Sequence, residues 1–299
     1  MLEADIATPP HRQDNAEALA ADERRERRRI TGLSLPAIAL IMVLLVLPVG
    51  WLFALSFVSE GQLSLANYER MLEFSAYVST FETTIVISLL VTALCIVFGY
   101  PVAYLLGQMP PRLATIGLAC VIVPFWTSIL VRTYAWLVIL QRQGIVNDAL
   151  IGMGLIDEPL KLAHNFTGTV IGMVHIMLPF LILPLYASVR SIDGDLMRAA
   201  SSMGASPARA FRDVFLPQSM PGLIAGTLLV FILCLGFYVT PQILGGGRVI
   251  MVSMKIQQNI QVYFDWGAGS ALAVVLLLIV FAIFYMVHRL AGLDRVFSR

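Results

Sequence analysis

Charged residues are scarce in this chain. Only 13% of its 299 residues are Asp, Glu, Lys or Arg, whereas 58% are hydrophobic. A hydrophobic excess of this size excludes a single soluble globular domain and favours a protein that crosses the membrane several times. The formal net charge of +1 gives no reason to expect nucleic acid as a partner.

Cysteines and metal-ligand clusters are also few. The three cysteines fall inside apolar runs, where we expect them as small core residues and not as a disulfide framework. The four histidines stand far apart, without a Cys or carboxylate at ligand spacing, so no metal site is predicted. No Gly-x-x-x-x-Gly-Lys-Ser/Thr and no Gly-Lys pair is present, which excludes a phosphate-binding loop of that type. We therefore predict no catalytic residue, no cofactor and no ATPase activity in this chain.

Long hydrophobic runs are abundant instead. A membrane-spanning helix needs about 20 predominantly apolar residues. The segments that meet this requirement are 33–57, 83–106, 116–140, 168–189, 222–240 and 270–287. The sequence thus predicts an all-α polytopic protein with six spans, in a membrane domain over 33–289. The flanking tails are 1–32 and 290–299, and the first is predicted to be disordered because Met1–Glu23 is polar and lacks apolar periodicity.

The distribution of cations predicts the orientation. If the N-terminus is cytoplasmic, fourteen of the 20 Lys and Arg residues lie on the cytoplasmic side and five on the outer side. Arg132 lies within the third span. Both termini are therefore predicted to face the cytoplasm. The basic run Arg24–Arg29 is interpreted as a topology anchor, with a contact to anionic membrane lipid as the alternative.

One polar, helix-forming segment, Asp193–Pro221, interrupts the apolar runs. Within it Leu196, Ala200 and Met203 follow a helical spacing and predict one face of a helix. Small residues around Ala199 and Gly204 would let another surface approach that face closely.

A second short helix is predicted after the first. Ser206 is a favourable N-cap and Pro207 a favourable first helical residue, so the chain breaks at Gly204 and restarts. Phe211 lies on one side of the new helix, and Leu216-Pro217 is predicted to end it. The loop 193–217 would then form two short helices along the membrane surface. The alternative interpretation is an ordinary interfacial amphipathic loop.

The spacing within this loop resembles a family signature. Binding-protein-dependent ABC importer permeases carry Glu-Ala-Ala, three residues, Gly, nine residues and Ile-x-Leu-Pro in a cytoplasmic loop. Here Arg198-Ala199-Ala200 precedes Gly204 by three residues, and nine more separate that glycine from Val214-Phe215-Leu216-Pro217. The segments beginning at Tyr100, Pro124, Gly144 and Leu178 resemble the spermidine/putrescine permease branch of this family.

The resemblance implies the partners and the mechanism. It implies a dimer of ATP-binding subunits, a second related permease, an extracytoplasmic solute-binding protein, and alternating access in a bacterial inner membrane. The implied cargo is a polyamine, with an opine or another amine or amino-acid-derived solute as the alternative. The residues that it assigns to the ATPase contact are Asp195, Arg198, Ala199, Ala200, Gly204, Ala205, Ser206, Pro207, Phe211, Leu216 and Pro217.

The spans give little information about the cargo. None of the six contains Asp or Glu, although a polycation is expected to need carboxylates or aromatic faces. Arg132 would repel a polycation, and we expect it to bond to backbone carbonyls or to the partner permease. The translocation-pathway residues proposed on this basis are Trp126, Arg132, Tyr134, Trp136, Tyr238 and Asp265.

Two other classes of protein are compatible with six spans. A secondary transporter would need intramembrane acidic relays or a repeated half, and the sequence has neither. An intramembrane enzyme would need a catalytic or metal constellation at membrane depth, and His175 has no evident partner there. The importer interpretation is therefore preferred.

Arg198 stands where the family signature has glutamate. Asp195, one turn earlier, offers a carboxylate nearby but at a different angle. We hypothesise that the charge contact with the ATPase subunit is inverted or shifted in this system. An Arg198→Glu variant should then transport less with the native ATPase; better or unchanged transport would contradict an inverted pair.

Overall fold

The computed structural model describes residues 10–59 and 61–291, and the chain divides into two units, 1–55 and 56–299. Helix α1, Pro10–Ser56, forms the described part of the first unit as far as Leu55. Its segment Arg29–Ser56 is long and apolar enough to cross a membrane. This helix begins well inside the tail for which the sequence predicted disorder. The tail is rich in Ala, Glu and Arg, which have high intrinsic helix propensity. Residues 1–9 of the tail lie outside the described part.

The second unit begins with a short antiparallel hairpin of β1, Val58–Ser59, and β2, Gln62–Leu63. The rest of its described residues are helical or in loops, as an all-α fold requires. The helices are α2 Ala66–Glu73, α3 Ser75–Gln108, α4 Pro111–Ile122, α5 Ile129–Ile139, α6 Ile145–Gly152, α7 Phe166–Arg190, α8 Gly194–Ser202, α9 Pro207–Ala210, α10 Leu216–Leu235, α11 Val239–Leu244, α12 Val252–Gln261 and α13 Trp266–Ala291.

The predicted third span, 116–140, is broken. Helices α4 and α5 are joined by a 3₁₀ turn, Val123–Trp126, and are bent by 97°. Pro124, within this turn, has no amide hydrogen to donate. The two residues that follow the turn, Thr127 and Ser128, are not helical. The described residues therefore hold five helices that meet the span criterion alone, and a sixth span only if this bent pair crosses together.

The predicted end of the loop helix at Leu216-Pro217 is wrong. A π-helical turn, Phe211–Phe215, joins α9 directly to α10, so helical backbone continues to Leu235. Because Pro217 cannot donate a hydrogen bond to the turn before it, the helix widens there instead of stopping. The same span ends before the predicted residue 240, since the chain leaves the helix at Gly236 and restarts as α11.

The core of the second unit lies where α3, α7 and α10 pack together. Its buried side chains come from all three helices and include Ile87, Val91, Cys95, Met173, Met177, Leu181, Val230 and Cys234. Two glycines of α10, Gly222 and Gly226, are buried against α7. A Cβ atom on Gly222 would lie 2.3 Å from the Ser188 Cβ and 2.8 Å from the Pro184 carbonyl oxygen. These two small residues thus bring the helices into close contact.

Replacing Gly222 with Ala should separate α7 from α10. Because backbone as well as side-chain atoms occupy the space, the substitution should cost about 1–3 kcal/mol of unfolding free energy. Gly236→Ala is the matched control, since nothing lies within 4 Å of a Cβ atom at that position. The measurement is the thermal unfolding midpoint of the purified protein in detergent. Equal midpoints for the two variants would contradict the packing described for α10.

Candidate functional site

Helix α8 is closed at both ends by local hydrogen bonds. The Asp193 side chain accepts a hydrogen bond from the Asp195 amide (2.9 Å) and caps the N-terminus. At the other end the Gly204 amide donates to the Ser201 carbonyl (3.0 Å) and the Ala205 amide to the Ala200 carbonyl (3.1 Å). These two bonds form a Schellman motif, in which Gly204 has a φ of +82°. Only glycine adopts this left-handed conformation without steric cost.

The chain becomes helical again at the residues that the sequence predicted. Ser206 is the N-cap of α9, where its hydroxyl accepts a hydrogen bond from the Arg209 amide (3.4 Å), and Pro207 is the first helical residue. The break between α8 and α9 is therefore fixed on both sides. This arrangement holds the exposed helix in one orientation, which a docking surface needs.

The face predicted from Leu196, Ala200 and Met203 is divided in the structure. Ala200 is buried, at 4% exposure, whereas Leu196 and Met203 are exposed. The helical spacing fails at Met203 because this residue is the C-cap, where the backbone leaves the helix. The residues predicted to contact the ATPase subunit also divide into exposed and buried ones. Those exposed to solvent are Asp195, Arg198, Ala199, Gly204, Ser206, Pro207 and Pro217, and those at least half-buried are Ala200, Ala205, Phe211 and Leu216.

Arg198 and Asp195 interact with each other. The Arg198 Nη1 atom lies 3.1 Å from the Asp195 Oδ1 atom, and the two side chains are 85% and 77% exposed. An exposed ion pair of this kind contributes little to stability, since water screens both charges. Both charged groups remain accessible to a partner.

Four aromatic rings fasten the loop to the membrane helices. Tyr104 of α3 makes edge-to-face contacts with Phe211 (5.7 Å between ring centroids) and Phe215 (5.0 Å) of the π-helical turn. Tyr100 contacts Phe211 at 6.2 Å, and its hydroxyl lies 2.9 Å from the Ser219 hydroxyl of α10. Sequence analysis did not assign this role to the two tyrosines. Their spacing of four residues, which places them on one face of α3, is the signal that indicates it.

Arg132 and one of the proposed pathway aromatics, Trp136, lie against α7. The Arg132 guanidinium carbon is 5.6 Å from the centre of the Phe125 ring, and Phe125 packs on Phe180 of α7 at 4.9 Å. One turn further along α5, Trp136 contacts His175 of α7 at 5.5 Å. Within the described part of the chain, neither Nε nor Nη1 of Arg132 has a hydrogen-bond partner. The expected bond from Arg132 to backbone carbonyls is thus not formed by these two atoms.

The other pathway residues are distributed differently. Trp126 and Tyr134 are exposed, and Tyr238 is half-buried beside the central core. Asp265 forms an ion pair with Arg70 (2.9 Å) and accepts a hydrogen bond from the Ala268 amide at the start of α13 (2.9 Å). Asp265 therefore has a structural role. Among the residues that the structure describes, no hydrogen bond, ion pair or ring contact joins it to the other five.

Known proteins resemble this chain over most of its length. Residues 99–291 match the family described as binding-protein-dependent transport system inner membrane component. The spermidine/putrescine transport system permease protein PotB of Haemophilus influenzae is 32% identical over 231 residues, which cover 76% of this chain and 80% of that protein. The corresponding protein of Escherichia coli is 33% identical over 216 residues, covering 72% and 78%.

A solved structure shares the fold. A chain of a bacterial ABC transporter involved in the import of alginate superposes with a TM-score of 0.67, covering 91% of this chain and 99% of that chain at 18% identity. The likeness extends over nearly all of both chains. The matched family and the two relatives establish that this chain belongs to the binding-protein-dependent inner-membrane transport components and is a multi-pass permease subunit of an ABC importer.

Proposed function

We propose that the chain is the permease of an ATP-driven polyamine importer, with both termini in the cytoplasm. The observation that carries this proposal is the loop between α7 and α10. It presents an exposed helix, α8, whose ends are fixed by an Asp193 cap and a Gly204 turn. A partner that presses on α8 would meet a rigid element. The distribution of Lys and Arg supports a cytoplasmic position for this loop.

The proposed coupling runs through the helical backbone. ATP-binding subunits that contact the exposed residues of α8 would move α9 through the break that Gly204 and Ser206 hold in place. The movement would continue through the π-helical turn to α10, because no loop interrupts the backbone from Pro207 to Leu235. The rings of Phe211 and Phe215 would transmit the same movement to α3 through Tyr104. A contact of this kind needs stiff packing and no catalytic group in the permease.

The proposal includes three partners. They are a dimer of ATP-binding subunits, a second related permease and an extracytoplasmic solute-binding protein. A bacterial alginate transporter with the same fold, solved in complex with a pentasaccharide-bound periplasmic protein, supports the last of these. That chain is 17% identical to this one, with a TM-score of 0.68.

Polyamine is the proposed cargo because the relatives named above are spermidine/putrescine permeases. Aromatic faces at Trp126, Tyr134, Trp136 and Tyr238 are available for cation–π contact with a polyamine. A second candidate is a solute that carries both an amine and an acid group. The observation that favours it is Arg132, whose guanidinium is only partly engaged in the described structure and would attract an anion.

Uptake in proteoliposomes tests the function and the role of the loop together. The complete importer, with ATP at the ATPase side, should accumulate labelled spermidine. Gly204→Val should reduce uptake about tenfold or more, because a β-branched residue cannot hold a φ of +82° without strain and would reorient α8. Membrane insertion of the variant is checked in the same preparation.

Gly194→Val is the matched control for this experiment. Gly194 lies in the same loop, at the first position of α8, and nothing lies within 4 Å of a Cβ atom there. Its uptake should stay close to that of the wild type. Uptake that persists without any ATP-binding subunit, or that is equally lost in both variants, would contradict the proposal. Competition by an excess of 2-aminoethylphosphonate, but not of putrescine, would favour the amine-and-acid solute instead.

A further inference from the structure

Three cationic side chains surround one cavity at one end of α7. The loop 193–217, the docking loop, lies at the other end. The cavity has a volume of about 370 Å³ and is lined in part by Arg142, Lys161 and Arg248. It lies beside Asn165, the residue that precedes α7, whereas α8 follows the other end of that helix. A helix of 25 residues is about 37 Å long. Under the orientation proposed above, the cavity opens on the outer face of the membrane.

One buried side chain fixes the backbone next to two of the cations. Asn147 is fully buried, and its Nδ2 atom donates to the carbonyls of Gln141 (2.9 Å) and Leu160 (3.0 Å). Its Oδ1 atom accepts a hydrogen bond from the Leu160 amide (2.9 Å). Gln141 and Leu160 directly precede Arg142 and Lys161, so the amide of Asn147 fixes the backbone beside both cations.

The third cation belongs to a loop that is tied to the same wall. The Arg248 amide donates to the Gly245 carbonyl (3.0 Å), and the Asn165 amide donates to the Leu244 carbonyl (3.0 Å). Gly246 approaches His164 so closely that a Cβ atom on it would lie 2.6 Å from the His164 Cβ. The three segments that line the cavity are therefore joined by hydrogen bonds, two of them through the Asn147 side chain and the third through its backbone.

The charges in this cavity are not neutralised from within. Among the described residues, no carboxylate lies within ion-pair distance of Arg142, Lys161 or Arg248, and none lines the cavity. Glu82 lines a neighbouring cavity with Arg248 but forms no ion pair with it. Three like charges around one space repel each other unless an anion enters. The cavity therefore selects for negative charge.

The cargo cannot supply this charge if it is a polyamine, because a polycation would be repelled. A protein that carries a polycation, however, needs carboxylates at its own binding cleft. Such a protein would present an acidic surface to the permease at the position where it releases its cargo. The cavity is also larger than a single carboxylate needs, and Gln141 and Asn165 add hydrogen-bonding groups to its wall.

We propose that this cationic pocket, formed by Arg142, Lys161 and Arg248, is where acidic side chains of the extracytoplasmic binding protein dock. The inference rests on the proposed importer function and extends it to a specific contact. Docking neutralises the three charges, so a cationic solute meets a favourable outer surface only when the binding protein is in place. Free solute meets an uncompensated positive pocket instead.

Binding of the spermidine-loaded solute-binding protein of this system to the complete importer in nanodiscs tests the proposal. The affinity of the importer for the binding protein should fall as the salt concentration is raised, because screening weakens exposed charge pairs. The triple variant R142Q/K161Q/R248Q should bind about tenfold or more weakly at low salt and lose most of the salt dependence. K255Q, on the same face but outside the pocket, is the matched control and should bind as the wild type does.

Two further measurements keep the result independent of folding. R142K/R248K retains the charges and should retain most of the affinity, and ATP hydrolysis in the absence of the binding protein should be unchanged in every variant. Unchanged affinity or salt dependence in the triple variant would overturn the proposal. The proposal would also be overturned if the triple variant kept its affinity for the binding protein but lost co-purifying phosphatidylglycerol. That result would identify the pocket as a lipid site. If the wild type shows the predicted docking but imports no polyamine, the proposed cargo is wrong while the docking site stands.

Discussion

The close contact between α7 and α10 is the interaction on which the rest of the structure depends. These two helices meet through Gly222 and Gly226, where α10 contributes no side chain. The docking loop leaves the end of α7 and enters the start of α10, so both of its attachment points belong to one packed pair. A short loop between two helices in fixed contact has little freedom to move independently. The aromatic rings of Tyr104 and Phe215 reduce that freedom further.

Helix α7 also joins the two faces of the membrane. Its first residue follows the wall of the cationic pocket, and its last residue precedes the docking loop. In the proposed importer, a rigid α7–α10 pair would couple docking of the binding protein on the outer face to closure of the ATPase subunits in the cytoplasm. The chain has few charges, and the exposed ones at these two faces are placed where partners of the proposed system would meet them. Selection of the solute would then depend on the binding protein more than on the spans, which lack Asp and Glu.

Local chemistry in this chain could be predicted from the sequence, and long-range packing could not. The Ser206 cap and five of the six apolar runs follow from residues within one or two turns, and the structure has each of these runs in one helix long enough to span a membrane. The burial of Ala200 and the ion pair of Asp265 depend on residues distant in the chain, which a sequence pattern does not reveal. The apolar run 116–140 likewise predicted a third span, but not the break at Thr127 and Ser128, where two helices meet at 97°.

The helix that continues through Pro217 shows the same limit of prediction from local sequence. Proline at that position is compatible both with a helix end and with a widened turn that continues into the next helix. The choice depends on Phe211 and Phe215, which stack on each other at 5.4 Å and pack against α3. Tertiary contacts thus decided between two local outcomes.

In the proposed importer, α8 and α10 move as one body when the ATPase subunits close. Spin labels at Ser202 of α8 and Ala225 of α10, in a background with the exposed Cys120 replaced, measure this directly. Double electron–electron resonance on the assembled importer should give the same distance distribution without nucleotide and with ATP bound. A shift of the α8–α10 distance between these states, in an importer that still transports, would contradict the account.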